Sequence, residues 1–98
     1  MRDTVIMESV KQILKSIADV APGKAVELRI PPYAAIQCVG GTTHRRGTPP
    51  NVVEMDADTW LALATGELKW SDAMERGSIS ASGARADLSE YLPIRITQ

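Results

Sequence analysis

The chain has no phenylalanine, and its aromatic residues are Tyr33, Trp60, Trp70 and Tyr91. Aliphatic side chains must therefore fill the interior, and stacking on nucleic-acid bases has almost no raw material. One cysteine, Cys38, excludes an intrachain disulfide and any cysteine-built metal cage. One histidine, His44, stands in no His-x-x-x-His or Glu-x-x-His spacing, so a metal site is not expected. Neither sign of charge dominates: 11 Lys plus Arg oppose 12 Asp plus Glu, for a net charge of −1. That balance argues against a phosphate backbone or an anionic membrane surface as partner. No apolar run reaches the length of a membrane span. Residues Met1 to Val10 carry Arg2, Asp3 and Glu8, so no leader peptide is expected and a cytoplasmic protein is the default.

What remains is a balanced chain of 98 residues, 44% apolar, expected to form one domain spanning 1–98. A domain of this size buries about two thirds of the surface its unfolded chain exposes, enough for one core without staples.

Periodicity divides that chain. Between Thr4 and Val20, Ile6, Val10, Ile13, Leu14 and Ile17 recur at spacings of three and four, which predicts an amphipathic helix ended by Ala21-Pro22-Gly23. Val26, Leu28 and Ile30 alternate with Glu27 and Arg29, predicting a half-buried strand. Pro31-Pro32 removes two ladder donors, so the chain must break or follow an edge there. Tyr33 to Val39 predicts a second strand. Gly40 to Pro50 has no periodicity and reads as a long loop holding His44, Arg45 and Arg46. Asn51 to Asp56 returns to strand.

Asp56 is placed to cap a helix through Thr65, with Trp60, Leu63 and Ala64 inward and Gly66 closing it. Ser71 is expected to cap a second short helix, Ala73 and Met74 inward, ended near Gly77. Ser78 to Ser82 alternates as a modest strand. Asp87 and Glu90 have capping-box spacing before Leu88, Tyr91, Leu92 and Pro93, predicting a brief helix. Ile94 and Ile96 suggest a last edge strand.

Catalytic chemistry finds little support. A nucleophilic pair would have to join Cys38 to His44, and no carboxylate is positioned to orient the imidazole. Asp56, Asp72 and Asp87 are already explained as helix-start residues. Gly40-Gly41 is not a phosphate loop, because no Lys-Ser or Lys-Thr pair opens a helix after it. No catalytic residue, metal or cofactor is assigned. The His44-Arg45-Arg46 cluster is the best polar candidate: its two arginines suit a clamp for a carboxylate or phosphate. The alternative is a solvated loop whose charges offset nearby acids such as Glu54.

From Val52 onward the order of pieces is more specific than any one of them. A strand ends in Asp56, and Thr59-Trp60-Leu61-Ala62-Leu63-Ala64-Thr65-Gly66-Glu67-Leu68 follows. Then come Ser71-Asp72-Ala73-Met74, Gly77-Ser78-Ile79, Ser82-Gly83 and Ala86-Asp87-Leu88. This series resembles the C-terminal half of the sterol carrier protein 2 family. With VELRIPPYAAI from Val26 and RGTPPNVVE from Arg46, the chain is similar to a small bacterial branch of it.

The resemblance implies an α/β (α+β) fold. Its expected form is a curved, mostly antiparallel sheet of about four to five strands, with helices on one face enclosing an apolar pocket. It implies a non-enzymatic module that binds or transfers lipids of the fatty acid, fatty acyl-CoA or sterol class. Under it, Ile36, Trp60, Leu63, Met74, Leu88 and Leu92 are expected to line the pocket, with Arg45 and Arg46 at its mouth. The expected partner is a hydrophobic small molecule, and a homo-oligomer is left open. Two other readings stand beside it: a structural or interaction domain whose pocket has closed, and an accessory domain related to the C-terminal domains of mycothiol-dependent isomerases.

Size constrains the pocket. A dry void of about 300 Å³, at about 24 cal/mol per Å³, costs roughly 7 kcal/mol. That rivals the total stability of such a domain. The pocket must be filled, collapsed or small.

Overall fold

A computed structural model describes residues 2–40, 51–83 and 86–94. The long first helix, α1 (Arg2–Val20), forms where the three-and-four spacing predicts it. Val10, Ile13, Leu14 and Ile17 are buried, while Lys11, Gln12 and Lys15 are exposed. The helix ends where Ala21 donates to the Ile17 carbonyl and Pro22 denies the ladder a further donor.

Strands β1 (Val26–Ile30) and β2 (Ala34–Cys38) form an antiparallel hairpin in which Leu28 faces Ile36 and Val26 faces Cys38. Pro31-Pro32 makes its turn, closed by the Tyr33 amide donating to the Ile30 carbonyl at 2.9 Å. Prolines that lack a ladder donor belong at such a place.

Strand β3 (Asn51–Met55) pairs with β1 in parallel, and β4 (Ile79–Ser82) pairs antiparallel with β3. The sheet is thus four-stranded and mixed, in the order β2-β1-β3-β4. Asn51 fixes the start of the parallel pair, because its buried side-chain amide donates to the Ala25 carbonyl at 2.8 Å. The register divides the side chains cleanly. Val26, Leu28, Ile30, Cys38, Val53, Met55 and Ile79 share the buried face. Glu27, Arg29, Gln37, Glu54, Ser80 and Ser82 share the other.

Helix α1 packs against β2 and against α2 (Ala57–Thr65). Asp56 caps α2 as expected: its carboxylate accepts the Thr59 amide at 2.8 Å. Gly66 closes the helix at φ 89°, a left-handed conformation that glycine adopts without a Cβ penalty.

Two short elements differ from expectation. Helix α3 spans Trp70–Glu75, with Lys69 rather than Ser71 at its N-cap and no side-chain cap. Its first bond, from the Ala73 amide to the Lys69 carbonyl, seats Ala73 in the core. So short a helix offers the interior one position, and Ala73 takes it. Met74, expected inward, is instead 42% exposed. Near the end, Asp87 accepts from the Ser89 amide at 2.8 Å, but only one 3₁₀ turn forms, Ser89–Tyr91, with Leu88 as its N-cap. Pro93 follows too soon for an α-helix to develop.

The expected last strand is also absent at Ile94. Its amide donates to the Ala64 carbonyl, in the final turn of α2, at 2.9 Å. Ile96 and residues 41–50 of the loop expected from Gly40 to Pro50, with His44, Arg45 and Arg46, lie outside the described residues.

Candidate functional site

Helix α2 carries two of the expected site residues, Trp60 and Leu63. Ala57, Trp60, Leu63 and Ala64 lie on one buried stripe at helical spacing. Trp60 is fully buried and Leu63 nearly so, but only Leu63 reaches a cleft. That cleft holds about 320 Å³ and is lined by Leu63, Gly66, Leu68, Lys69, Trp70, Ser89, Leu92 and Pro93. It lies between the end of α2, the α2–α3 connection and the segment after the 3₁₀ turn.

Local structure explains why these groups meet. The left-handed Gly66 turns the chain back, and the Leu68 amide donates to the Ala62 carbonyl at 3.2 Å. A Cβ on Gly66 would stand 3.5 Å from Pro93, so the two segments are already in close approach. The Ile94–Ala64 hydrogen bond holds the far wall, carrying Leu92 and Pro93, against α2. Gly66, Lys69, Ser89 and Pro93 are exposed, so the cleft opens to water at those residues. Because the cleft opens to solvent, the penalty of a dry internal void does not arise.

The expected lining residues therefore separate into groups. Leu63 and Leu92 share the cleft. Trp60 and Leu88 are core residues with no exposure. Ile36 lies half-buried on edge strand β2, on the sheet's buried side. Met74 points to solvent. Arg45 and Arg46 lie outside the described residues. Sequence reasoning missed Gly66, Leu68, Lys69, Trp70, Ser89 and Pro93 as lining. The available signal was Leu68-Lys69-Trp70, two large apolar residues in a connection that helical periodicity does not claim.

Other clefts adjoin the fold. One of about 410 Å³ lies across Leu92 and Pro93, between Val20, Glu90, Tyr91 and Ile94. Another, of about 400 Å³, lies beside the hairpin turn and the start of α2, with Tyr33, Asp56 and Asp58 in its wall.

Polar chemistry is confined to other places. Burial pushes the Cys38 thiol up to about 11, which keeps it protonated and unreactive near neutrality. The hydrogen bond from Thr59 holds the Asp56 carboxyl below the usual carboxylate range. Arg29 pairs with Glu27 and lies 4.0 Å from Glu54, on the sheet face away from the core. Its proton is held more firmly than usual, chiefly by the hydrogen bond to Glu27. Among the described residues no cluster of His, Cys, Asp or Glu is arranged to hold a metal, and no helix is long and apolar enough to cross a membrane. Within the core itself, the Trp60 indole Nε1 is buried and finds no hydrogen-bond acceptor among the described residues.

A family model described as the bacterial SCP ortholog matches residues 2–94. The chain belongs to that family. The match takes in α1, the whole sheet and the segment through Ile94 that walls the cleft. A search of the curated proteins found no match to this chain. Membership in a sterol-carrier family points in general to a lipid-binding module.

Proposed function

We propose that this protein is a non-enzymatic carrier that binds the apolar chain of a lipid in the cleft between Leu63 and Leu92. The lipid classes in view are fatty acids, fatty acyl-CoA and sterols. The observation that carries the reading is the cleft itself: Leu63, Leu68, Trp70, Leu92 and Pro93 meet around about 320 Å³. That volume is at the lower end of small-molecule sites, roughly 300–1,000 Å³. Apolar surface exposed in such a groove is favourable to cover, at about 25 cal/mol per Å². The buried, protonated Cys38 supports a role without nucleophilic chemistry.

Native mass spectrometry of protein purified without detergent, followed by organic extraction, tests the proposal. A stoichiometric acyl chain or sterol is the expected finding. If none copurifies, and neither oleate nor palmitoyl-CoA at micromolar concentration alters tryptophan emission, the carrier reading falls.

One observation favours a second reading, a structural or interaction domain whose internal pocket has closed. Trp60 and Leu88 fill the interior with no exposure, where the family resemblance implied an enclosed pocket. Under that reading, no lipid binds and the interior stays packed in every condition.

A further inference from the structure

Among the described residues, the cleft at Leu63 has a single charged side chain in its wall, the cation Lys69. Two other clefts carry the opposite sign: Glu90 lines the one across Leu92, and Asp56 and Asp58 line the one at the hairpin turn. The cation at a further cleft beside that turn, Arg29, is already paired with Glu27. Of these four, only the Leu63 cleft joins a mainly apolar wall to an unopposed positive charge. Lys69 is the N-cap residue of α3, where its side chain makes no capping bond. Its ammonium has no ion-pair partner among the described residues. The nearest acid in sequence, Glu67, is turned to the Thr65 hydroxyl, 3.2 Å away. Ser89 lines the same cleft and is exposed, adding a hydroxyl that donates to an anion.

We propose that Lys69 is a specificity-determining residue: it selects a single linear chain ended by a carboxylate, the head at Lys69 and the tail along Leu63, Leu68 and Leu92. This rests on the reading of the cleft as a lipid site and adds the class of head group. A lysine is a point charge on a flexible stem, suited to a carboxylate at a cleft mouth rather than to one fixed bidentate geometry. A fused-ring sterol or a neutral alcohol brings no charge to it. Because the pair is exposed to solvent, its effect on affinity is modest and weakens as salt rises.

The test is calorimetric titration of dodecanoate and dodecanol into the full chain, as wild type, Lys69→Met and Lys69→Glu. Circular dichroism confirms that the variants fold, which the exposure of Lys69 favours. The expected result is a loss of about threefold to tenfold in dodecanoate affinity for Lys69→Met, a larger loss for Lys69→Glu, and unchanged dodecanol binding. Equal losses for both ligands, or unchanged dodecanoate binding in Lys69→Glu, overturn the head-group assignment and leave the lipid site standing. If neither ligand binds wild type, the lipid reading and the assignment fall together.

Discussion

The Ile94 amide donates to the Ala64 carbonyl at 2.9 Å, and this one bond joins the segment carrying Leu92 and Pro93 to the last turn of α2. The bond satisfies a carbonyl that α2 itself leaves unpaired. Replacing Ile94 by Pro removes the donor. We expect a loss of about 1–3 kcal/mol in unfolding free energy, read from the urea midpoint. We also expect weaker binding of any ligand held by Leu92. Unchanged stability would mean that the wall is held by other contacts.

A second close approach lies just past the C-terminal end of α1. Gly23 has φ 144°, and a Cβ there would stand 2.4 Å from the Gly40 Cα. The same crossing is tied by Val39, whose amide donates to Ala21 and whose carbonyl accepts from Ala25. Gly23→Ala should cost at least about 2 kcal/mol, because the methyl group meets backbone and the φ disfavours any side chain. Thermal unfolding measures it directly. A variant as stable as wild type would show that the two segments separate easily.

Asp56 ties α2 to pH. Its carboxyl is lowered in the folded protein by the Thr59 amide, so its contribution is full above the usual carboxylate value of about 4 and is lost as pH falls through the lowered one. Asp56→Ala should cost about 1 kcal/mol near neutrality. The gap between variant and wild type should close in acid. A gap of constant size down to about pH 2 would contradict the capping account.

Cys38 titrates the other way. Its thiol is raised from 9.0 to about 11 by burial, so the folded state favours the neutral form. That stability is complete below about pH 9 and is lost as pH rises toward about 11. A disulfide reagent at pH 8 should label the folded protein far more slowly than the urea-unfolded chain. Equal rates would place Cys38 at the surface.

The parts of this fold that obey a simple period were legible in the sequence. The α1 stripe, the alternation of β1 and the Asp56–Gly66 frame of α2 stand where the residues put them. Short elements were harder. Ser71 has a good capping side chain, yet packing of Ala73 moves the start of α3 to Trp70 and turns Met74 outward. The parallel pairing of β1 with β3 is a long-range choice, and no local spacing encodes it.

The candidate cleft was half legible. Leu63 and Leu92 were named as lining under the family resemblance, from the same apolar faces that build the core, so Trp60 and Leu88 came with them. Nothing in the pattern separates a buried wall from a filled interior. Lys69 sits in a four-residue connection, and its cleft exists only once Gly66 has turned the chain toward Pro93.

The most direct measurement is a methyl-resolved NMR titration of leucine-labelled protein with dodecanoate. The account predicts saturable shifts at Leu63, Leu68 and Leu92, with Leu14 and Leu28, on the buried faces of α1 and of the sheet, unmoved. Shifts confined to Leu14 and Leu28, or no shifts at any leucine, would contradict it.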